Sequence, residues 1–236
     1  KPNVGYMRQL SAEGVIGLNP QLILAIEGSG PKETLDVLDS AKIPFVSFPE
    51  THTEQGIVDK IKLVAHAMDA DTRGVCLTNA VGADLTELKT LRDNIKKPAR
   101  VMFAMSFLNG RAMVAGQQTA ANEIMRMAGG INAVDGFDGY KPVNDEAIVA
   151  AKPDVILTMQ RGKDSLDAQT VFTNPSFALT PAAAKQSFVA MDGLYLLGFG
   201  PRTAAAARDL AVSLYPDLGD KAAAWKPATL TVDCRK

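Results

Sequence analysis

The sequence predicts an α/β protein of two lobes with mainly parallel sheets, and three observations carry that expectation. Short, mostly apolar runs at 21–26, 44–48, 100–105, 154–159 and 186–191 alternate with stretches of helical periodicity. Runs of that length suit strands buried on both faces of a parallel sheet. One helical pattern, 71–96, is much longer than the others and exceeds the usual helix of a globular protein. Finally, Pro153-Asp154-Val155-Ile156-Leu157 echoes Pro20-Gln21-Leu22-Ile23-Leu24, so corresponding strands are expected in each half, although no repeat is visible residue by residue.

In chain order, Ser11 caps a short helix over 12–18 that Pro20 stops. A serine oxygen accepts an orphan amide of the first turn, and the residue before a proline is pushed out of the helical region. The run 21–26 is a strand, Gly28-Ser29-Gly30-Pro31 a turn, and Pro31 the first position of a helix reaching Ser40, where its fixed φ is suitable and its missing N–H costs nothing. A second strand at 44–48 ends at Pro49. Helix, strand, helix, strand is the order of a parallel α/β unit, yet two strands are fewer than the about four to six of an ordinary sheet. The first lobe is therefore expected to be incomplete, with the chain beginning inside a longer protein.

Thr53-Glu54-Gln55 opens a helix to about 68 that carries Ile57, Val58, Ile61 and Val64 at helical spacing. The long pattern 71–96 follows, with Val75, Leu77, Val81, Leu85, Leu88 and Leu91 among its apolar positions; Gly74 and Gly82 weaken it, and Pro98 ends it. Beyond it lie a strand at 100–105, a loop and short strand at 110–116, and a helix capped by Thr119 and closed by Gly129-Gly130. A short helix opened by Asn144, strands at 154–159 and 186–191, and an Ala-rich helix from Pro201 to about Tyr215 complete the second lobe. The expected division is an incomplete N-terminal lobe at 1–70, a connecting helix at 71–96 and a C-terminal lobe at 97–236.

The bulk numbers exclude several classes. A hydrophobic content of 47% is ample for a buried core, and Lys+Arg 25 against Asp+Glu 26 gives a formal net charge of -1, which exerts no long-range pull on nucleic acid or an acidic membrane. No apolar run approaches the roughly 18 residues of a membrane span, and no charged segment followed by an apolar one opens the chain. It is expected to be soluble as it stands, any export signal having been removed or never present. Cys76 and Cys234 are too few for a disulfide framework and lack metal-ligand spacing, so they leave the redox compartment open. His52 and His66 alone do not make a multi-histidine metal site. Gly198-Phe199-Gly200 lacks the rest of a phosphate fingerprint, and neither a P-loop lysine motif nor a Ser, His and acid arrangement is readable. An enzyme is not expected.

The stretch Gly5-Tyr6-Met7-Arg8 places a phenol two positions from a guanidinium. Phenolate, with an ordinary tyrosine pKa near ~10, is the form that binds ferric iron, and a fixed positive charge favours it. Tyrosine is also among the protein axial ligands of haem. Taken alone, a tyrosine near a terminus is more often a surface or packing residue. In the second lobe the loop Gln160-Arg161-Gly162-Lys163 follows the strand 154–159, and in open α/β sheets the carboxyl ends of strands face the ligand crevice. Arg161 can reach from there towards a phenolate or a ligand carboxylate, or can be an ordinary solvated charge.

The run Gly5-Tyr6-Met7-Arg8-Gln9-Leu10-Ser11-Ala12-Glu13-Gly14, with 19–24 after it, with Met105-Ser106-Phe107, Ala115 to Ala121, and Leu196 to Arg202, resembles the periplasmic haem-binding proteins of bacterial haem ABC importers. The resemblance spans essentially the whole chain. It implies a class III periplasmic binding protein whose lobes are joined by the long helix, with a strand-helix-strand portion before Tyr6. It also implies haem as the transported ligand and Tyr6 as axial ligand of its iron, with Arg8 stabilising the phenolate or a propionate and Arg161 closing the site. The implied partner is an inner-membrane ABC permease with its ATPase, docked through an acidic residue on each lobe, for which Glu33 is the first-lobe candidate; a carboxylate serving its own helix N-terminus is the plainer reading of Glu33. Some members carry a His just after the Met-Ser pair. Phe107 stands there in this chain, which points to a single axial tyrosine and away from two-haem binding. Met7, Met105, Phe107, Met113, Tyr140 and Phe199 are candidate apolar lining and equally good core residues. A siderophore or cobalamin carrier of the same fold, an α/β enzyme subunit holding a cofactor in the cleft, and a fragment that binds nothing without the missing portion are the alternatives.

Overall fold

The computed structural model describes residues 2–108, 110–162 and 165–235. The chain divides into two compact units, Lys1–Cys76 and Leu77–Lys236. The α/β class predicted from the alternating runs is the class observed.

In the first unit, α1 (Ala12–Ile16) is capped by Ser11, whose hydroxyl accepts from Gly14 N at 3.2 Å. Strands β1 (Ile23–Ile26) and β2 (Phe45–Phe48) pair in parallel, Ile23 opposite Phe45 through Ile26 opposite Phe48. Between them runs α2 (Lys32–Ser40). Pro31 stands one position earlier than its sequence suggests, as the extended N-cap residue and not the first helical one. Thr53 caps α3 (Glu54–Ala67) by accepting from Gly56 N at 3.0 Å. Leu38, Phe48 and Ile57 are buried in this unit.

Helix α4 (Asp71–Arg92) begins in the first unit and continues into the second. It stops short of residue 96 because the chain tightens into turns, Asn94 N donating to Leu91 O and Ile95 N to Arg92 O. Gly74, costly for helix propensity, has a packing reason: a Cβ there would sit 2.4 Å from Cβ of Ala65 on α3.

The second unit is built on a six-stranded sheet of order β6-β4-β3-β7-β8, with β5 also paired to β3. These strands are β3 (Arg100–Leu108), β4 (Arg111–Ala115), β5 (Ile131–Asn132), β6 (Tyr140–Val143), β7 (Val155–Gln160) and β8 (Phe188–Asp192). The pairs β3–β7, β7–β8 and β3–β5 are parallel, whereas β3–β4 and β4–β6 are antiparallel. Gly110, at φ +79, occupies the left-handed region between β3 and β4, which a residue without a Cβ enters without penalty. Five consecutive buried residues on β7 match its continuous apolar run.

Thr119 and Asn144 cap α5 (Ala120–Met127) and α6 (Asp145–Ala151) as expected, accepting from Asn122 N and Ala147 N. Three pieces the sequence left unread follow: α7 (Ala168–Thr173), α8 (Pro175–Ala178) and α9 (Pro181–Ala184), too short to show a period of 3.6. Phe177 of α8 joins Met102, Val114 and Ile156 in the apolar core. After β8 come α10 (Gly193–Leu197), α11 (Thr203–Leu214), α12 (Gly219–Ala224) and α13 (Ala228–Thr231).

The last helix is held by a long-range cap. The buried Asp84 carboxylate on α4 accepts from Ala228 N (2.6 Å), Thr229 N (3.0 Å) and Thr229 Oγ1 (2.7 Å). Both Cys76 and Cys234 are disulfide-bonded, although two cysteines had looked too few for a disulfide framework. A disulfide belongs to an oxidising compartment. Replacing Asp84 by Ala leaves two half-buried amides and a hydroxyl without this partner; the loss should be about 2 kcal/mol of unfolding free energy, read from the urea midpoint at unchanged slope. Denatured but unreduced protein should incorporate no iodoacetamide by mass, and protein reduced first should take up two.

Candidate functional site

Strands β1 and β2 run parallel, so both carboxyl ends lie at one edge of their sheet, where open α/β sheets hold ligands. The loop carrying Tyr6 is fastened there by backbone. Gly30 N donates to Met7 O at 2.9 Å, Leu10 N donates to Gly30 O at 2.8 Å, and Thr34 Oγ1 donates to Leu10 O at 3.0 Å. Gln9 N closes a turn onto Tyr6 O at 2.7 Å. Gly5, at φ +101, turns the chain into the loop through the left-handed region. The outcome is a phenol on a pinned loop, in a residue that is 60% exposed.

Two other tyrosines differ from the exposed Tyr6 in that their hydroxyls are engaged. Tyr195 donates its hydroxyl to Asp209 Oδ2 at 2.8 Å, and burial followed by that carboxylate pushes its pKa far above the usual value. Tyr215 accepts from Ala99 N at 2.8 Å and donates to Gly129 O at 2.7 Å, with burial the first cause of its raised pKa. Tyr140 packs edge-on against Phe103.

Arg8 is engaged by a residue the sequence did not single out. Its Nη2 lies 3.7 Å from Oε2 of Glu50, two residues beyond β2, and Nε2 of His52 lies 3.7 Å from the other oxygen, Oε1. The same carboxylate acts on Lys60 of α3, whose ammonium is pushed down by burial and partly restored by Glu50. Glu50-Thr51-His52 directly after an apolar run was the available signal, since a polar cluster at the carboxyl end of a parallel strand faces the ligand edge. Glu33 is exposed in the first turn of α2, where a carboxylate is favoured on electrostatic grounds. Among the described residues no group of three or more His, Cys, Asp or Glu side chains could hold a metal ion.

In the second unit Arg161 is exposed just past β7; its backbone N–H donates to Ser165 Oγ at 2.6 Å. Lys163 of the same loop lies outside the described residues. Of the apolar lining candidates, one is fully core and another is half-buried against the core. Phe107 stacks edge-to-face on Phe177 at 5.8 Å and packs against the apolar core, and Phe199 is buried. Met7, Met105 and Met113 are half-buried. Conversely, Leu194 in α10, just beyond the carboxyl end of β8, is 74% exposed. It hid in the run Leu194-Tyr195-Leu196-Leu197, of which Leu196 is the fully buried member. Arg202 stacks over the Tyr195 ring at 5.5 Å, a structural role.

The sequence pattern of the periplasmic binding protein family matches residues 1–194. The chain belongs to that family. This periplasmic binding protein superposes with a TM-score of 0.87 on the periplasmic heme-binding protein BhuT in complex with two hemes, at 36% identity, over 92% of this chain and 83% of that one. It is 25% identical over 217 residues, 91% of its own length and 68% of the relative's, to an uncharacterized ABC transporter substrate-binding lipoprotein, YvrC, of Bacillus subtilis. To the vitamin B12-binding protein of Yersinia pestis it is 23% identical over 187 residues, 79% of this chain and 65% of that one. As a member of the family the chain is a substrate-binding component of ABC import and not an enzyme.

Because Tyr195 and Tyr215 are held protonated in the folded state, their stabilising contribution is complete below the unfolded tyrosine pKa of about 10 and is lost as pH rises through their raised folded values. Absorbance titration at 295 nm should show both phenols ionising late, Tyr195→Phe should remove one late component, and unfolding free energy should fall with pH above about 10.

Proposed function

We propose that this periplasmic binding protein captures haem and delivers it to an ABC permease and its ATPase for haem and iron uptake. The observation that carries the reading is an exposed phenol on a loop pinned to the carboxyl end of a parallel strand pair, two residues from an arginine. The likeness to a heme-bound periplasmic protein at 36% identity supports it. Tyr6 is the axial ligand of the haem iron, Arg8 serves the phenolate or a propionate, and Arg161 of the second unit serves the ligand's carboxylates. The division into an N-terminal lobe at 1–70, a connecting helix at 71–96 and a C-terminal lobe at 97–236 belongs to this reading, as does Glu33 as a permease contact on the first lobe. Haem is cargo here and not a resident cofactor.

A cobalamin carrier is the second reading, favoured by the 23% identical vitamin B12-binding relative. It leaves the exposed phenol without a part, because Tyr6 has no ferric iron to meet. Haemin titrated into the protein should give a Soret band with a phenolate-haem spectrum, and Tyr6→Phe should abolish that spectrum and weaken binding by at least about tenfold, the loss of one metal-ligand bond. One haem per chain is expected at the breakpoint, since the Phe107 side chain supplies no second ligand. Binding of cobalamin in place of haemin, or a spectrum unchanged in Tyr6→Phe, would overturn the assignment.

A further inference from the structure

The Glu50 carboxylate has more partners than it needs. Arg8 approaches one oxygen and His52 the other, each at 3.7 Å, with both side chains of the Arg8 pair partly exposed. That separation is well beyond the roughly 2.7–2.9 Å of a charge-assisted hydrogen bond, so Arg8 is oriented without its fork of donors being committed. Lys60 also feels Glu50. Removing Arg8 would leave the carboxylate beside His52, a partner that is cationic when protonated. Glu50 thus stands in the place where a second, better-aligned carboxylate could bind the guanidinium bidentately, the geometry arginine is suited to.

We infer that Glu50, His52 and Arg8 form a carboxylate-exchange site, in which Glu50 holds the Arg8 guanidinium as an internal counter-ion and an incoming ligand carboxylate takes its place. The inference rests on the haem reading for the identity of the ligand, whose propionates are the carboxylates concerned, and adds Glu50 as a residue that sets affinity by competing with them. His52 retains Glu50 after the exchange.

The test compares haemin with haemin dimethyl ester, which keeps the iron and the apolar face and lacks free carboxylates, on the full chain. Glu50→Gln should bind haemin about two- to fivefold more tightly, the range expected from losing one exposed ion-pair competitor. It should bind the dimethyl ester no more tightly than the parent does. The gain should vanish when Arg8→Gln is added. Glu50→Ala, with a thermal melt alongside, repeats the comparison without a residual polar side chain. An equal gain for both porphyrins, a gain that survives Arg8→Gln, or no gain in either Glu50 variant would overturn the exchange site while leaving the haem reading intact. Failure of the parent chain to bind either porphyrin would overturn both.

Discussion

Everything proposed for the ligand edge depends on three hydrogen bonds that fasten the segment after Tyr6 to the turn around Gly30. Two are reciprocal backbone bonds, Gly30 N to Met7 O and Leu10 N to Gly30 O, and the third brings Thr34 Oγ1 to Leu10 O. A loop satisfied only by water would let a phenol sample many positions, and each would have to be given up when a ligand binds. Here the backbone polar groups are paired on both sides of Arg8. Tyr6 and Arg8 are therefore displayed on a short, fixed arch instead of a free end, and Ser11 carries that order directly into α1.

The charges near this arch are loosely paired. A single carboxylate, Glu50, faces Arg8 and His52 and acts on Lys60. At partly exposed sites such pairs contribute at most about 1 kcal/mol, enough to orient a guanidinium and too little to lock it. The phenols deeper in the chain are treated oppositely. Tyr195 and Tyr215 spend their hydroxyls on Asp209 and on backbone at Ala99 and Gly129, which ties them to packing. Tyr6, by contrast, is exposed, which is what the proposed ligand role asks of it.

Much of the fold was legible because it is local. The caps by Ser11, Thr53, Thr119 and Asn144 each join a side chain to an amide three residues on, so the sequence window that contains the residue contains its partner. The strands β1, β2, β3, β7 and β8 announced themselves as apolar runs for the same reason, although β7 is buried along almost its whole length and β1 and β8 are only partly covered. The antiparallel placement of β4 and β6 did not, since a short run does not encode the direction of its neighbour. Nor did α7, α8 and α9, whose four to six residues complete less than two turns.

The sequence by itself determined the α/β alternation, the helix starts, the balance of charge and the pairing of a tyrosine with an arginine in one short motif, because each of these is a property of neighbours along the chain. Tertiary structure alone decided that Phe107 and Phe199 go inward while Leu194 stays out, and that Glu50 meets Arg8. It also decided that Asp84 caps a helix at the far end of the chain and that Cys76 and Cys234 are oxidised. These are contacts between residues distant in sequence, and which of many chemically equivalent partners is met depends on how the elements pack, a quantity no local pattern contains.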